Sequence, residues 1–395
     1  MQWGGITPFR GQELNVLRPA RSTKIRGTTV AAKSPVFRIR ARWDAMGSRR
    51  TQRWLSWPIA GQLEVAMVLL DGTADPDCLN RSLIETIHRS GLNKRRWQTG
   101  FMTASPGTLP LRGRTALVTG VSRRRGIGFA VARTFARLGA SVFIHHYGPH
   151  DEDQPWGADD LSDVVNALRA ELTGGARLGE MSADLRDPGR IRPLIDAASE
   201  LTGSLDILVC NHARSGGDGS ILDMTPEALD AFWQTNTRST LLLTRAFALL
   251  KADAPTAPAR PGERIRGDRE RRFTAPTGRV FWMTSGQGHG PMRGEVAYAT
   301  SKAALAGVTA TVAAELLELG IVLNTVNPGP VDTGYLSPDA TDRPLGQIQE
   351  LIDGTPFGRF GAPSDPANLI GWLATDDGAW IVGQVLTSDG GFYLA

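Results

Sequence analysis

Cysteine is almost absent from this 395-residue chain, which has only Cys78 and Cys210. That excludes a disulfide-stapled secreted scaffold and a four-cysteine zinc site. Long apolar runs are also missing. The longest lies around Val65 to Leu70, far short of the about 20 residues a membrane-spanning helix needs. No apolar stretch follows an initial basic one, so a secretory signal is not expected. The six histidines do not cluster with carboxylates at ligand spacing, and no metal is expected.

Acidic residues are scarce in one region only. Residues 1–100 hold 17 Lys+Arg against 7 Asp+Glu, a net of +10, whereas the remaining residues hold 27 against 33, a net of −6. The overall +4 is therefore an average over two unlike parts. The first part scatters arginines such as Arg38, Arg40 and Arg42 among Trp3, Trp43, Trp54, Trp57 and Trp97. Only Leu79 to Ser90 has weakly helical spacing, through Leu83, Ile84 and Ile87. Such composition suits an organelle transit peptide or a nucleic-acid-binding arm, but no cleavage signal and no nucleic-acid motif is present. Met102 opens a segment that reads as the natural start of a domain. Residues 1–110 are accordingly expected to be a basic extension, either disordered or upstream of the true start.

From Arg114 onward strands and helices alternate. Strands are expected at Thr115–Val118, Ser141–Ile144, Gly179–Ala183, Asp206–Cys210, Val280–Met283, Val322–Val326 and Gln384–Thr387. Helices are expected at Phe129–Leu138, Asp159–Leu172, Gly189–Leu201, Pro226–Leu250, Ala297–Leu319 and Pro366–Leu373. That alternation predicts right-handed βαβ units and an α/β fold over residues 111–395: a Rossmann-type, doubly wound parallel sheet of about seven strands. Lys251 to Gly278, rich in Pro, Ala and Arg, interrupts it and reads as a disordered surface insertion.

Two constellations carry chemistry. Thr119-Gly-Val-Ser-Arg-Arg-Arg-Gly-Ile-Gly128 follows a strand and opens a helix. Gly120 permits the tight turn, Gly126 lets backbone approach phosphate, and Gly128 permits close helix packing, with a pyrophosphate at the helix N-terminus. An NAD site places Asp or Glu at the end of the second strand. Here that strand ends Ile144-His-His-Tyr147, with no carboxylate before Asp151, and Arg123, Arg124 and Arg125 sit in the glycine loop. Guanidinium groups suit a 2′-phosphate, so NADP(H) is the expected cofactor. The second constellation is Ser285 with Tyr298-Ala-Thr-Ser-Lys302. Tyr298 and Lys302, at i and i+4, share one helix face. A nearby ammonium favours phenolate, which fits Tyr298 to give and take a proton near neutral pH, while Ser285 can hydrogen-bond a carbonyl.

With these motifs in this order, residues 111–395 resemble the short-chain dehydrogenase/reductase family. The first loop has two more residues between its glycines than the family's commonest form. The resemblance implies a catalytic set of Ser285, Tyr298, Lys302 and Asn236, the last supporting a proton relay. It implies cofactor contacts from Ser122 and Ile127 in the first loop. Asp184 and Leu185 would lie beside the adenine, and Asn211 and Ala213 in the Asn211-His-Ala-Arg214 segment. Pro328, Gly329, Val331 and Thr333 would lie beside the nicotinamide. Arg214 stands where the family has glycine, and either meets an acidic substrate or carrier protein or points to solvent. His212 reads as a strand-end packing residue. His289 either contacts substrate or is incidental in a glycine loop.

The pattern most resembles 3-oxoacyl-acyl-carrier-protein reductases, which implies an NADPH-dependent carbonyl reductase, with pterin and polyketide substrates as alternatives. A carbonyl or alcohol substrate, an acyl-carrier-protein or CoA thioester, and a second or further copy of the chain are the expected partners. The resemblance implies a cytoplasmic homotetramer or dimer. A nucleic-acid-associated protein and a catalytically silent NADP sensor are the readings from other classes.

Overall fold

Thr115-Ala-Leu-Val118, Ile207-Leu-Val-Cys210 and Ile321–Asn327 are buried along their whole length. Strands covered on both faces have no polar side to show, which is why they read as mostly apolar runs rather than as alternation. The computed structural model describes residues 109–252, 272–334, 336, 345–355 and 357–394, with the backbone of three short strands nearer the N-terminus. The chain divides into two compact units, Met1–Gly100 and Phe101–Ala395.

In the first unit, Thr23–Ile25 pairs antiparallel with Thr28–Val30, which pairs antiparallel with Arg40–Ala41. Ile25 faces Thr28 in the register. The weak helix expected at Leu79–Ser90 and the domain start at Met102 lie outside the described residues.

The second unit is built on seven parallel strands. These are β1 (Thr115–Val118), β2 (Ser141–His146), β3 (Leu178–Ser182), β4 (Ile207–Cys210), β5 (Gly278–Met283), β6 (Ile321–Asn327) and β7 (Val385–Thr387). Their order across the sheet is β7-β6-β5-β4-β1-β2-β3. Helices α1 (Ile127–Arg137), α3 (Leu161–Arg169) and α9 (Ser364–Ala374) pack an apolar layer on one face. Helices α4 (Ile191–Glu200), α6 (Ser239–Lys251) and α7 (Val296–Leu317) pack the other. This is the doubly wound Rossmann-type sheet. Its strand order reverses between β1 and β4, and ligands bind outside the carboxyl ends of strands at such a point.

The seven strands fall where apolar runs predict them. The helix expected to run unbroken from Pro226 to Leu250 does not. It consists of α5 (Pro226–Phe232), a widened π turn over Trp233–Arg238, and α6. Hydroxyls help hold this region: Thr235 donates to the Ala231 carbonyl at 3.0 Å, and Thr240 to the Asn236 carbonyl at 2.8 Å. Two short helices, α2 (Gly148–Glu152) and α8 (Leu345–Asp353), are additional to those expected. Of the insertion expected at Lys251–Gly278, Lys251 ends α6, Gly278 begins β5, and residues 253–271 lie outside the described residues. Among the described residues no helix is long and apolar enough to cross a membrane.

Candidate active site

The chain leaves β1 through Thr119 and turns at Gly120, whose φ of 71° suits glycine. A Cβ there would also come within 2.8 Å of the His212 backbone. Gly126 precedes α1 and has no side chain to offer its first turn. The first-turn N–H groups therefore present a site for an anion. At Gly128 a methyl group would overlap the Gly120 carbonyl oxygen and lie 2.6 Å from Asn211 Nδ2. That amide donates to the Thr119 and Gly120 carbonyls, both at 3.1 Å, which ties the turn to the end of β4.

These loops border a cavity of about 630 Å³ at the switch point. Gly120, Ser122, Arg123, Gly126 and Ile127 line it from the first loop. Asp184 and Leu185 line it beyond β3, and Asn211 and Ala213 beyond β4. Pro328, Gly329, Val331 and Thr333 line it beyond β6. Gly128 sits behind the wall, consistent with a packing role.

The three arginines do not act as one cluster. Arg123 lines the cavity, with Nε 3.1 Å from Asp151, Nη1 donating to the Thr333 carbonyl at 2.8 Å, and the guanidinium over the Trp156 ring. Arg124 pairs with Asp159 and Asp163, and Arg125 with Asp332. Arg124 and Arg125 line a separate, smaller recess. The expected convergence of three guanidinium groups on one phosphate is therefore not what the structure shows. Carboxylates from the segment after β2, and Asp332, hold them apart. Ser122 Oγ also donates to Asp151.

The catalytic candidates meet on one wall. Ser285 follows β5, and its Oγ lies 4.0 Å from the Met292 sulfur. Thr284, beside it, donates to the Lys302 carbonyl at 3.0 Å and thereby fixes the strand end against α7. Tyr298 and Lys302 lie one turn apart on α7, with Nζ 5.8 Å from the tyrosine ring centroid. The i, i+4 reading holds. Lys302 is buried and donates from Nζ to the Met283 carbonyl at 2.9 Å. Burial pushes its ammonium down to about 8, and interaction with Cys210 only partly opposes this. Asn236 lies inside the π turn and is buried behind the wall. Its Oδ1 accepts from the Arg214 N–H at 2.7 Å, while Nδ2 donates to the Arg214 carbonyl at 3.2 Å and to Ser301 Oγ at 2.9 Å. π turns inside helices are frequent at functional sites because they re-aim one residue.

Asp218 is a cavity residue that sequence reading missed. Its carboxylate accepts from the backbone N–H of Ala297 at 3.1 Å and of Tyr298 at 2.7 Å. The anion thus holds the N-terminus of α7, where the helix dipole favours negative charge. Caps are normally sought just before a helix. Here Glu295 occupies that position without capping, and the cap comes from 80 residues away. His289 lies off the cavity wall, stacked on Tyr393, and its Nε2 is 3.1 Å from Thr387 Oγ1.

Two buried histidines stiffen the site from behind. His145 Nδ1 accepts from the Gly120 N–H at 3.3 Å, so its Nε2 carries the proton donated to the Ala183 carbonyl at 2.8 Å. His212 bridges Thr119 and Ser239, both at 2.7 Å, which fits the reading of it as a strand-end packing residue. Burial pushes His145 down to about 4 and His212 well below the usual imidazole range. Both are neutral in the folded protein. Below pH about 6.5 the unfolded chain takes up protons that the folded one refuses. Stability is therefore expected to fall as pH drops from about 6.5 towards 4, by about 3 kcal/mol for His145 alone. Melting temperatures between pH 7.5 and 5 would show this, and His212→Asn should flatten the slope. An equal slope in that variant would exclude His212 as a contributor.

Three comparisons bear on this cavity. A family model described as enoyl-(acyl carrier protein) reductase matches residues 120–255 and 268–393. The oxidoreductase YjdA of Bacillus subtilis is 32% identical over 278 residues, covering 70% of this chain and 96% of that protein. The chloroplastic NADPH-dependent aldehyde reductase-like protein of Arabidopsis thaliana is 32% identical over 287 residues, 72% of this chain and 96% of its own. A crystal structure of a dehydrogenase/reductase from Sinorhizobium meliloti superposes with a TM-score of 0.56 at 29% identity, covering 72% of this chain and 97% of that one.

Proposed function

The chain belongs to the short-chain dehydrogenase/reductase family, and from that premise we propose that it reduces a carbonyl to an alcohol with NADPH. One observation carries the reading: Ser285, Tyr298 and Lys302 share a cavity wall with the loop that opens on the uncapped N-terminus of α1. The glycine turn, close enough that a Cβ would strike backbone, fits a dinucleotide pyrophosphate. Bound NADPH supplies the hydride. Ser285 Oγ donates to the carbonyl oxygen and orients it. Tyr298 delivers the proton to that oxygen as it becomes an alcohol. Lys302 favours the phenolate by charge and can donate to a ribose hydroxyl. Asn236 holds the Arg214 backbone and Ser301 in place beneath the relay that returns a proton to Tyr298.

NADP(H) is favoured over NAD(H) by Arg123, the one loop arginine on the cavity wall, and by the carboxylate-free end of β2. Asp151 favours the second reading. It lines the cavity against Ser122 and Arg123, where it can accept from a ribose 2′-hydroxyl but would have to yield to a 2′-phosphate. As substrate we infer a 3-oxoacyl thioester on acyl-carrier protein or CoA, supported by the acyl-carrier description of the matching family model. Residues 111–395 would form the working unit of a cytoplasmic homotetramer or dimer. The exposed apolar residues Leu229, Trp233 and Val308 on the helices around the catalytic tyrosine support such assembly.

Steady-state assays with acetoacetyl-CoA and either NADPH or NADH test both choices. The KM for NADPH is expected to be at least about tenfold below that for NADH, since one charge-assisted contact is worth about 1.5–3 kcal/mol. The opposite order would assign Asp151 to the ribose diol. No oxidation of either cofactor by the thioester would exclude that substrate.

A further inference from the structure

Arg214 stands out among the cationic residues of the cavity. Arg123 has Asp151, and Arg186 grips Asp184 with two nitrogens. Arg214 also lines the cavity, yet no carboxylate lies within ion-pair distance of it among the described residues. Its Nε is buried and has no hydrogen-bond partner there. A buried guanidinium nitrogen without a partner is costly, and such a group is satisfied by a ligand or by water.

Its position is fixed rather than chosen by a wandering side chain. Asn236 bonds both the N–H and the carbonyl of Arg214, so the backbone is pinned to a buried residue of the π turn. The guanidinium lies over the Phe232 ring, 5.4 Å from its centroid, and Phe232 in turn meets the Tyr298 ring edge-on at 6.4 Å. One aromatic ring therefore separates the cation from the proton donor. Arg293, in the segment between Ser285 and Tyr298, lines the same cavity and likewise has no carboxylate partner among the described residues. Carboxylates do share the wall. Asp218 is committed to the N-terminus of α7, Glu295 stands at the start of that helix two residues beyond Arg293, and Asp153 pairs with neither arginine.

We propose that Arg214 receives a carboxylate on the substrate, so that the preferred substrate is a compact carbonyl compound bearing an acid group a few carbons from its C=O. The inference rests on the reductase reading and sets a compact acid against the acyl thioester inferred above as its substrate. A thioester whose phosphates lie far along a pantetheine arm would not place its charge beside Tyr298. Arg293 assists at the mouth. Planar guanidinium and planar carboxylate match in two parallel hydrogen bonds, which fixes the distance from charge to reacting carbon.

Succinic semialdehyde and its methyl ester are a matched pair that differs only in that charge. With NADPH, the ratio of kcat/KM for acid over ester is expected to exceed 1 in the natural protein. It should fall about 10–100-fold in Arg214→Met, with part of the loss restored in Arg214→Lys. Calorimetric titration of the alcohol product into the protein saturated with NADP⁺ provides a readout that needs no turnover, and its affinity should fall in parallel. An unchanged ratio in Arg214→Met would overturn the proposal while leaving the reductase reading intact. So would weaker NADPH binding in that variant with the ratio preserved, which would assign Arg214 to the cofactor. Product binding that depends on Arg214, with neither aldehyde nor acetoacetyl-CoA reduced, would uphold the anion site and overturn the reductase reading. Neither turnover nor product binding would overturn both.

Discussion

Replacing Tyr298 with Phe is expected to lower kcat by about 10²–10⁴-fold while leaving the melting temperature and the affinity for NADPH nearly unchanged. The substitution removes one oxygen and keeps the ring. The edge contact with Phe232 and the proximity to Lys302 involve that ring, so packing survives. In the proposed reaction the lost atom is the one that would give the proton to the carbonyl oxygen as hydride arrives. Without it an alkoxide must form unaided, or water must reach a wall that Ser285 and Met292 line. Single-turnover mixing of the variant with NADPH and aldehyde measures the chemical step directly. Unchanged turnover would remove Tyr298 from the chemistry and favour a protein that binds the dinucleotide without using it.

Gly128→Ala should be the most damaging change in the first loop. Alanine normally favours a helix, but here its methyl would overlap the Gly120 carbonyl oxygen and press on Asn211 Nδ2 at 2.6 Å. Neither neighbour can swing away: one is backbone, and the other is held by the Thr119 and Gly120 carbonyls. The start of α1 must then move off the turn, spoiling the N–H array that would hold the pyrophosphate. Overpacking of this kind costs about 1–3 kcal/mol, which as binding energy is about a tenfold to hundredfold weaker Kd for NADPH. Gly307→Ala on α7 is the control, because its methyl would meet nothing within 4 Å and it lies off the cavity wall. Fluorescence titration of NADPH against both variants decides it. Equal affinities would mean that the turn has more give than its contacts imply.

The sheet was legible because parallel strands buried on both faces must be largely apolar, and β1, β4, β5 and β6 are, with Arg279 in β5 and Asn324 in β6 as buried exceptions. That Ser285, Tyr298 and Lys302 come together was legible because their placement depends on spacing within one strand end and one helix. What stayed hidden depends on which distant segments meet. Asp218 is one aspartate in a glycine-rich loop until the fold sets it under α7. The three arginines looked like a phosphate cluster because sequence does not show that Asp151, Asp159, Asp163 and Asp332 return to pair with them. The π turn was missed because its residues have ordinary helical composition, and only the widened hydrogen-bond ring distinguishes it.

That widened turn makes the helix a register device. Each residue of a regular helix advances the direction of its side chains by about 100°. The widened turn takes up one more residue than a regular helix would, so the segments on either side stay in phase. Deleting one residue between Trp233 and Arg238 would let a uniform helix form with the apolar stripe of α6, including Leu243 and Phe247, still facing the core. What would change is the aim of Asn236, and with it the hold on the Arg214 backbone. The extra residue thus serves the loop beyond β4 rather than the core.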